Sequence, residues 1–239
     1  MISSLVTILL TLSAPTIERN FKGQASTPEG SPTYAVEQRE TWGTRGWVKR
    51  DVIGRQQDGR ILFRQRITPG NRAAVPNIEM TYERSPKKFS VVWNKDQVEL
   101  TFVDPSGATI KNTLQEPPTN LVGPGGILAA IREDWTLLRQ GTTLRWMMIV
   151  PPKADAFAVR LVPGKIETVL GTPALQVTLE ADSWLVRMFA PSTQFWIDLK
   201  HQSTLRYRGI GAKDGPDGAP METILEFKPD ALPLVPPER

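Results

Sequence analysis

From Tyr34 onward the chain keeps a two-residue beat of apolar and polar side chains. Ile61, Phe63, Gln65 and Ile67 alternate with Leu62, Arg64, Arg66 and Thr68, and Ile78, Met80 and Tyr82 alternate with Glu79, Thr81 and Glu83. Phe89, Val91 and Trp93 continue the beat, followed by Val98, Leu100 and Phe102, then Ala108, Ile110 and Leu114. Successive side chains of a strand point to opposite faces, so this pattern describes strands with one buried and one wet face. Turn residues separate the runs: Asp58-Gly59, Asn94-Lys95-Asp96 and Pro105-Ser106-Gly107. Short strands joined by tight turns make an antiparallel meander.

The period changes once. After Gly123-Pro124-Gly125-Gly126, the residues Ile127, Ile131, Trp135 and Leu138 fall on one stripe with Leu128 beside it, and Arg132, Glu133 and Arg139 lie off it. The spacing predicts an amphipathic helix over 127–139, with Arg139 in its last turn and Gly141 just past its end. Its apolar stripe has to cover something, and the concave face of the sheet is the natural partner. Strands then resume. Leu144 to Val150, LRWMMIV, is nearly apolar on both faces, as a central covered strand is. Phe157, Val159 and Leu161 follow. Pro163-Gly164 is expected to turn the chain into Ile166 to Leu170, and Gly171-Thr172-Pro173 to turn it again into Leu175, Val177 and Leu179. Phe195, Ile197 and Leu199 lead through Lys200-His201-Gln202 to Leu205 and Tyr207. Gly209 to Pro220 reads as a polar loop and Met221 to Phe227 as the last strand.

The expected architecture is mainly β: a single curled antiparallel sheet of about eleven strands, an incomplete barrel, with one amphipathic helix in the concave face. Two packed sheets are the alternative. No composition shift divides residues 34–228, which read as one half-barrel domain. Before it, Leu5 to Leu12 (LVTILLTL) is too short to span a bilayer but suits the apolar region of a secretory signal peptide, although Met1 to Ser4 carries no Lys or Arg. Small residues at Ser13, Ala14, Ala25 and Ser26 place a leader at 1–25. A buried first strand is the competing reading. Pro15 to Pro32 is polar and rich in turn residues, so 26–33 is expected to be a flexible linker, and 229–239 a Pro-rich tail. The expected location is periplasmic or secreted.

Composition removes several chemistries. Among 239 residues there is no Cys and one His, His201, so disulfides, thiolate nucleophiles, Cys-ligated metals and multi-histidine sites are excluded. Lys and Arg total 29 against 25 for Asp and Glu. The nearest thing to a basic cluster, Arg39, Arg45, Lys49, Arg50, Arg55, Arg60, Arg64 and Arg66, is diluted by Glu37, Glu40, Asp51 and Asp58. It reads as a solvated sheet face, with an anionic lipid surface as the alternative. No nucleic-acid partner and no cofactor is implied, and no G-x-G-x-x-G or Walker loop is present.

Residues 126–209 carry a recurrent outline: DWTLLRQG ending a helix, the strand LRWMMIVP, then DAFAVRLVPGKIETVLGTPALQVTLEAD and FWIDLKHQSTLRYRG. Through Gly171-Thr172-Pro173, Phe195-Trp196-Ile197-Asp198 and Arg206-Tyr207-Arg208-Gly209, this stretch resembles uncharacterised bacterial envelope proteins. Those are similar to the lipoprotein-carrier superfamily (LolA/LolB-like). The resemblance implies an incomplete antiparallel barrel closed by a helix and, more weakly, the holding of an apolar ligand such as an acyl chain or a lipoprotein. The lipoprotein members' Cys is missing here. The resemblance transfers no catalytic residue.

An apolar-ligand site needs a concave wall of large, adaptable side chains with a few polar groups for orientation. Trp135, Trp146, Met148, Trp184, Arg187, Met188, Phe195, Trp196 and Tyr207 are the candidates, with Met147, Phe157 and Phe189 near them in sequence. The segment from Asp182 to Pro191 sets Trp184, Met188 and Phe189 beside Arg187, which would suit an acyl chain with an acidic head. The competing reading is an ordinary filled core with a flap over it. The chain is then an exported, non-enzymatic monomer that binds a hydrophobic molecule, with possible peripheral membrane contact. Alternatives are an interaction or scaffold module with recruiting edge strands, or a hydrolase using Glu37 with Glu40 or Asp182 with Asp198. His201 reads as an exposed turn residue, and no G-x-S-x-G surrounds Ser203 or any other Ser. Asp214-Gly215-Pro216-Asp217-Gly218 is faintly calcium-like but lacks the spacing and closing Glu of an EF-hand.

Overall fold

The computed structural model describes residues 16–43, 46–188, 191–215 and 220–228. The apolar run Leu5–Leu12 and the tail 229–239 lie outside the described residues.

Among the described residues, backbone pairing unites every strand into one open sheet of fifteen, not about eleven. A first meander comprises β1 (Ile17–Ser26), β2 (Pro32–Gly43), β3 (Gly46–Gln56), β4 (Ile61–Arg72), β5 (Val75–Tyr82), β6 (Lys88–Asn94), β7 (Gln97–Val103) and β8 (Thr109–Leu114). The two-residue β9 (Leu121–Val122) forms the far edge. A second meander comprises β10 (Leu144–Val150), β11 (Asp155–Val169), β12 (Thr172–Ala181), β13 (Thr193–Asp198), β14 (Thr204–Asp214) and β15 (Pro220–Phe227). All neighbours are antiparallel except β9 and β10, which are parallel. The two meanders join where β1 pairs with β15, Gly23 to Ser26 lying against Phe227 to Ile224.

The added strands are β1, β2, β3 and β9, from segments whose alternation is blurred or too short to read, and other boundaries shift as well. Ile17–Ser26, expected to be leader and linker, is a mid-sheet strand that buries only Phe21, Gly23 and Ala25. The expected leader boundary at residue 25 falls inside it, and the 26–33 linker shrinks to the turn between β1 and β2. Pro163-Gly164 does not turn the chain. It sits at a β-bulge between Pro163 and Ile166, so β11 runs on for 15 residues. Gly209 to Asp214, expected to be loop, extends β14.

Inward positions follow the two-residue beat where the sequence showed it. Phe63, Ile67, Ile78, Met80, Val91, Val98 and Leu100 are buried, while Arg64, Arg66, Glu79 and Thr81 are exposed. β8 departs from it. It is an uncovered edge, and Ile110 is 47% exposed.

The expected helix is two: α1 (Ile127–Glu133) and α2 (Trp135–Arg139), broken at Asp134 (φ −102°, ψ 18°). Asp competes for backbone hydrogen bonds and favours such breaks. The stripe survives the break, with Ile131, Trp135 and Leu138 buried. The helical run ends as expected at Gly141. Its φ is +85°, its N–H donates to the Leu138 carbonyl, and the Thr142 N–H donates to the Leu137 carbonyl. Upstream, a Cβ on Gly126 would lie 2.0 Å from the Ala74 carbonyl oxygen, so only glycine lets the chain cross the sheet this closely.

Both faces of β10 are covered, as LRWMMIV implied. Trp146 and Leu144 join Ile131, Trp135 and Leu138 in one core with Leu161, Val177, Leu179 and Phe195. Ile149 points the other way and joins Leu121 and Ala154 against Ile67, Ile78, Val91, Val98 and Leu100 of the first meander. The sheet is rolled until its second meander packs on its first, without hydrogen-bonded closure.

Candidate functional site

Register across β10 and β11 builds an apolar wall. Leu144 lies opposite Leu161, Trp146 opposite Val159 and Met148 opposite Phe157. Exposure rises along it: Trp146 is 5% exposed, Met148 is half-buried and Phe157 is 44% exposed. The wall therefore runs from sealed core to open mouth. The neighbouring strands extend it: Leu161 lies opposite Leu179, Val177 opposite Phe195, and Phe195 opposite Tyr207. Phe195 and Tyr207 meet edge to face with centroids 5.4 Å apart.

At the mouth stands a third helix, α3 (Trp184–Arg187). The Asp182 N–H donates to the Ala158 carbonyl at 3.1 Å, so α3 begins one residue past the end of the β11–β12 ladder that carries Phe157. Trp184, Leu185, Val186 and Met188 are 66, 53, 50 and 59% exposed. Four large apolar side chains within five residues forgo about 1.5–3 kcal/mol each in water relative to burial, and clustered exposure of this kind marks a contact surface. The segment is nevertheless held at its root. The Arg187 guanidinium donates to the Ala181 and Asp182 carbonyls at 3.1 and 2.8 Å and lies 3.9 Å from Glu180. Arg145 donates to the Asp182 carboxylate at 3.3 Å.

The nine candidate residues thus separate. Trp135, Trp146 and Phe195 lie in one buried cluster, with Met148 and Tyr207 packed against it. Trp184, Arg187 and Met188 form the rim. Arg187 donates to the Ala181 and Asp182 carbonyls and so clasps α3 to the end of β12. Trp196 points to the opposite face of the sheet, where it packs with Val169, Ala174 and Leu205 beneath the Arg206 guanidinium and donates to Glu167. Phe189 lies outside the described residues.

Two features escaped the sequence reading. The charged outer face of β1–β5 is hollowed into a recess of about 500 Å³, lined in part by Lys22, Glu37, Arg39, Asp51, Arg64, Arg66 and Glu79. Its charges are laced into pairs: Arg66 and Lys49 meet Asp51 at 3.1 and 3.0 Å, and Arg64 meets Glu83 at 2.7 Å. It is a solvated ladder, as expected, bent by the coil of the sheet. His201, expected to be exposed, is half-buried. Its Nδ1 lies 2.8 Å from a carboxylate oxygen of the buried Asp198. Asp198 also accepts from the Lys200 N–H at 2.7 Å, so it organises the β13–β14 turn.

The carboxylate pairs considered for hydrolysis do not converge. Glu37 and Glu40 lie three apart on β2 and so face opposite sides of the sheet. Asp198 lies opposite Ala174, and Asp182 follows the other end of β12. At strand rise that separation is roughly 26 Å, beyond any glycosidase spacing. Ser203 donates to the His201 backbone carbonyl at 3.3 Å rather than to its ring. In the faintly calcium-like stretch, Asp214 pairs with Lys87 at 3.1 Å, and Pro216 to Gly218 lie outside the described residues.

No protein-family model and no curated protein matches the chain. Among solved structures it is similar to a beta-barrel-like protein of the domain of unknown function DUF1849 from Brucella abortus. The TM-score is 0.47 and the identity 10%, over 90% of this chain and 95% of that one. It is also similar to a putative outer membrane lipoprotein-sorting protein domain from Vibrio parahaemolyticus. There the TM-score is 0.24 and the identity 7%, over 89% of this chain and 82% of that one.

Proposed function

We propose that the protein is an exported, non-enzymatic carrier that holds an apolar chain against the wall of β10–β13, loaded at the mouth where α3 stands. The observation that carries this reading is the cluster of exposed apolar side chains on and just after α3, Trp184, Leu185, Val186 and Met188, placed at the open end of a wall that grades from buried Trp146 to exposed Phe157. A surface of this composition binds an acyl chain or the boundary layer of a membrane, so peripheral contact with a bilayer during loading belongs to the same reading. The leader-like run Leu5–Leu12 supports export to the periplasm or medium.

The test is native mass spectrometry of protein purified from its host envelope, followed by titration of the delipidated chain with a fluorescent fatty acid. An apolar adduct, and affinity weakened about tenfold or more by Trp184→Ser with Met188→Ser, is the expected result, because each lost apolar contact removes about 1.5–3 kcal/mol. A protein without adduct that ignores acyl probes overturns it.

A scaffold role is favoured by one observation. Ile131, Leu138, Leu161 and Ile197 have no exposed surface, so the core under the helices is sealed from solvent, and β8 leaves a free edge for an added strand. That reading expects a stable envelope partner that protects β8 from hydrogen exchange.

A further inference from the structure

One interior row of the sheet departs from the apolar rule. Arg19, Glu40, Arg50, Ile67, Ile78, Val91 and Leu100 stand in register across β1 to β7. The last four are core, so the row carries charge into the interior. Glu40 is 3% exposed and fully used. It accepts from Arg50 Nε at 2.8 Å, from Gln38 Nε2 at 2.9 Å and from the Trp42 indole at 3.2 Å. Arg50 is thereby neutralised, and its guanidinium stacks 5.5 Å from the Trp47 ring.

A second guanidinium enters from α1. Arg132 Nε donates to the Gln202 carbonyl at 3.1 Å. Burial lowers its proton affinity first, Arg50 lowers it further, and Glu40 partly opposes them. One carboxylate therefore faces two guanidiniums. Arg132 is half-buried and spends one of its five N–H donors on Gln202, leaving the others to solvent or to a bound acceptor. Beside Arg50, the Trp47 indole N–H is also buried without a hydrogen-bond partner. The surplus is one positive charge and a set of donors beyond those that Glu40 and Gln202 engage.

This surplus adjoins the apolar wall. On α1, Arg132 is one turn from Leu128 and, across the Asp134 break, three residues from Trp135, both of which pack with Trp146 and Phe195. We infer that Arg132 anchors the oxyanion head, carboxylate or phosphate, of an amphiphile whose chain lies on that wall. Arg187 is held at its root by the Ala181 and Asp182 carbonyls and faces Glu180, so the head is assigned to Arg132 rather than to Arg187.

The inference rests on the carrier reading, and the experiment separates the two. Dodecanoate, dodecyl phosphate and dodecanol are titrated calorimetrically into the full chain and into Arg132→Gln, Arg132→Lys and Arg187→Ala. The expected result is that both acids bind the native chain at least about tenfold tighter than the alcohol, as a charge-assisted hydrogen bond provides. Arg132→Gln should erase the preference and leave dodecanol unchanged, while Arg132→Lys keeps part of it and Arg187→Ala all of it. A preference for one acid over the other identifies the head as carboxylate or phosphate. Equal binding of acids and alcohol by the native chain overturns the head-group site while the carrier reading stands. So does a preference that survives Arg132→Gln. Failure of all three amphiphiles to bind overturns the carrier reading itself. The native-chain comparison decides the matter even if Arg132→Gln does not fold.

Discussion

Each of the chain's three tyrosines, Tyr34, Tyr82 and Tyr207, holds its proton more tightly than usual, with burial as the first cause in every case. Tyr207 is pushed up to about 12, by burial and then by Tyr34, and its hydroxyl donates to the Ile210 carbonyl at 2.8 Å. An unfolded tyrosine titrates near 10. A raised folded value means that the linked stability is whole below about pH 10 and is lost as pH rises toward the folded values. Phenolate absorbance near pH 10.5 should therefore be lower in the native chain than in the chain unfolded in guanidinium, with Tyr82 and Tyr207 contributing almost none of it. The thermal midpoint should fall above pH 10, less steeply in Tyr207→Phe. Ordinary titration of even one tyrosine in the native chain would contradict the burial of that residue. At this scale the sequence was informative about types and silent about partners. The turn at His201 was legible from Lys200-His201-Gln202, but its Asp198 contact depends on which way a turn folds over. Glu40 read as one surface charge among several, because nothing local distinguishes a carboxylate facing Arg50 inside a roll from one facing water.

Elements were legible wherever one face was consistently apolar. The Ile127–Ile131–Trp135–Leu138 stripe marked the helical region, and Gly141 its end, because both signals are local. The bulge at Pro163-Gly164 and the strand at Ile17–Ser26 were not legible, because each depends on pairing with another strand, and the break at Asp134 rests on one residue that helices also tolerate. The β11–β12 hairpin shows a local signal only partly obeyed. Leu170 and Gly171 form its two-residue turn with φ of 52° and 80°, both positive as a type I′ turn requires. Gly171 suits that geometry. Leu170 does not, and its side chain is 42% exposed, so the strain is offset by little packing. Leu170→Asn keeps the turn and removes most of the strain, a gain of about 1 kcal/mol. The expected readout is a thermal midpoint raised by about 2–4 °C for a chain of this size. A lowered midpoint would mean that Leu170 packs more than its exposure indicates.

The whole molecule is two meanders joined by one seam, and the seam is made by the first and last strands described. β1 pairs with β2 along its length and with β15 through Gly23 to Ser26, and Phe21 and Ala25 enter the core from it. Without β1 the two meanders have no shared backbone ladder, and side-chain contacts alone hold them together: β9–β10 packed on β5–β7, Ala212 and Leu225 against the Tyr34–Phe63 cluster, and the Lys87–Asp214 pair. Losing a central strand removes two ladders and two buried side chains, which rivals the roughly 5–15 kcal/mol that stabilises a typical domain. If the Leu5–Leu12 run is a leader, its cleavage must then fall before Ile17, near Ser13-Ala14, rather than at residue 25. Two chains test this, one beginning at Thr16 and one at Ser26. The first is expected to melt cooperatively at the midpoint of the full chain, with the same circular dichroism. The second is expected to lose cooperative melting and to aggregate through the exposed edges of β2 and β15. Intact mass of the exported protein should place its first residue between Ser13 and Ile17. Cooperative melting of the chain from Ser26, or an exported form beginning at Ser26, would show that β1 is an accessory strand and that the seam closes without it.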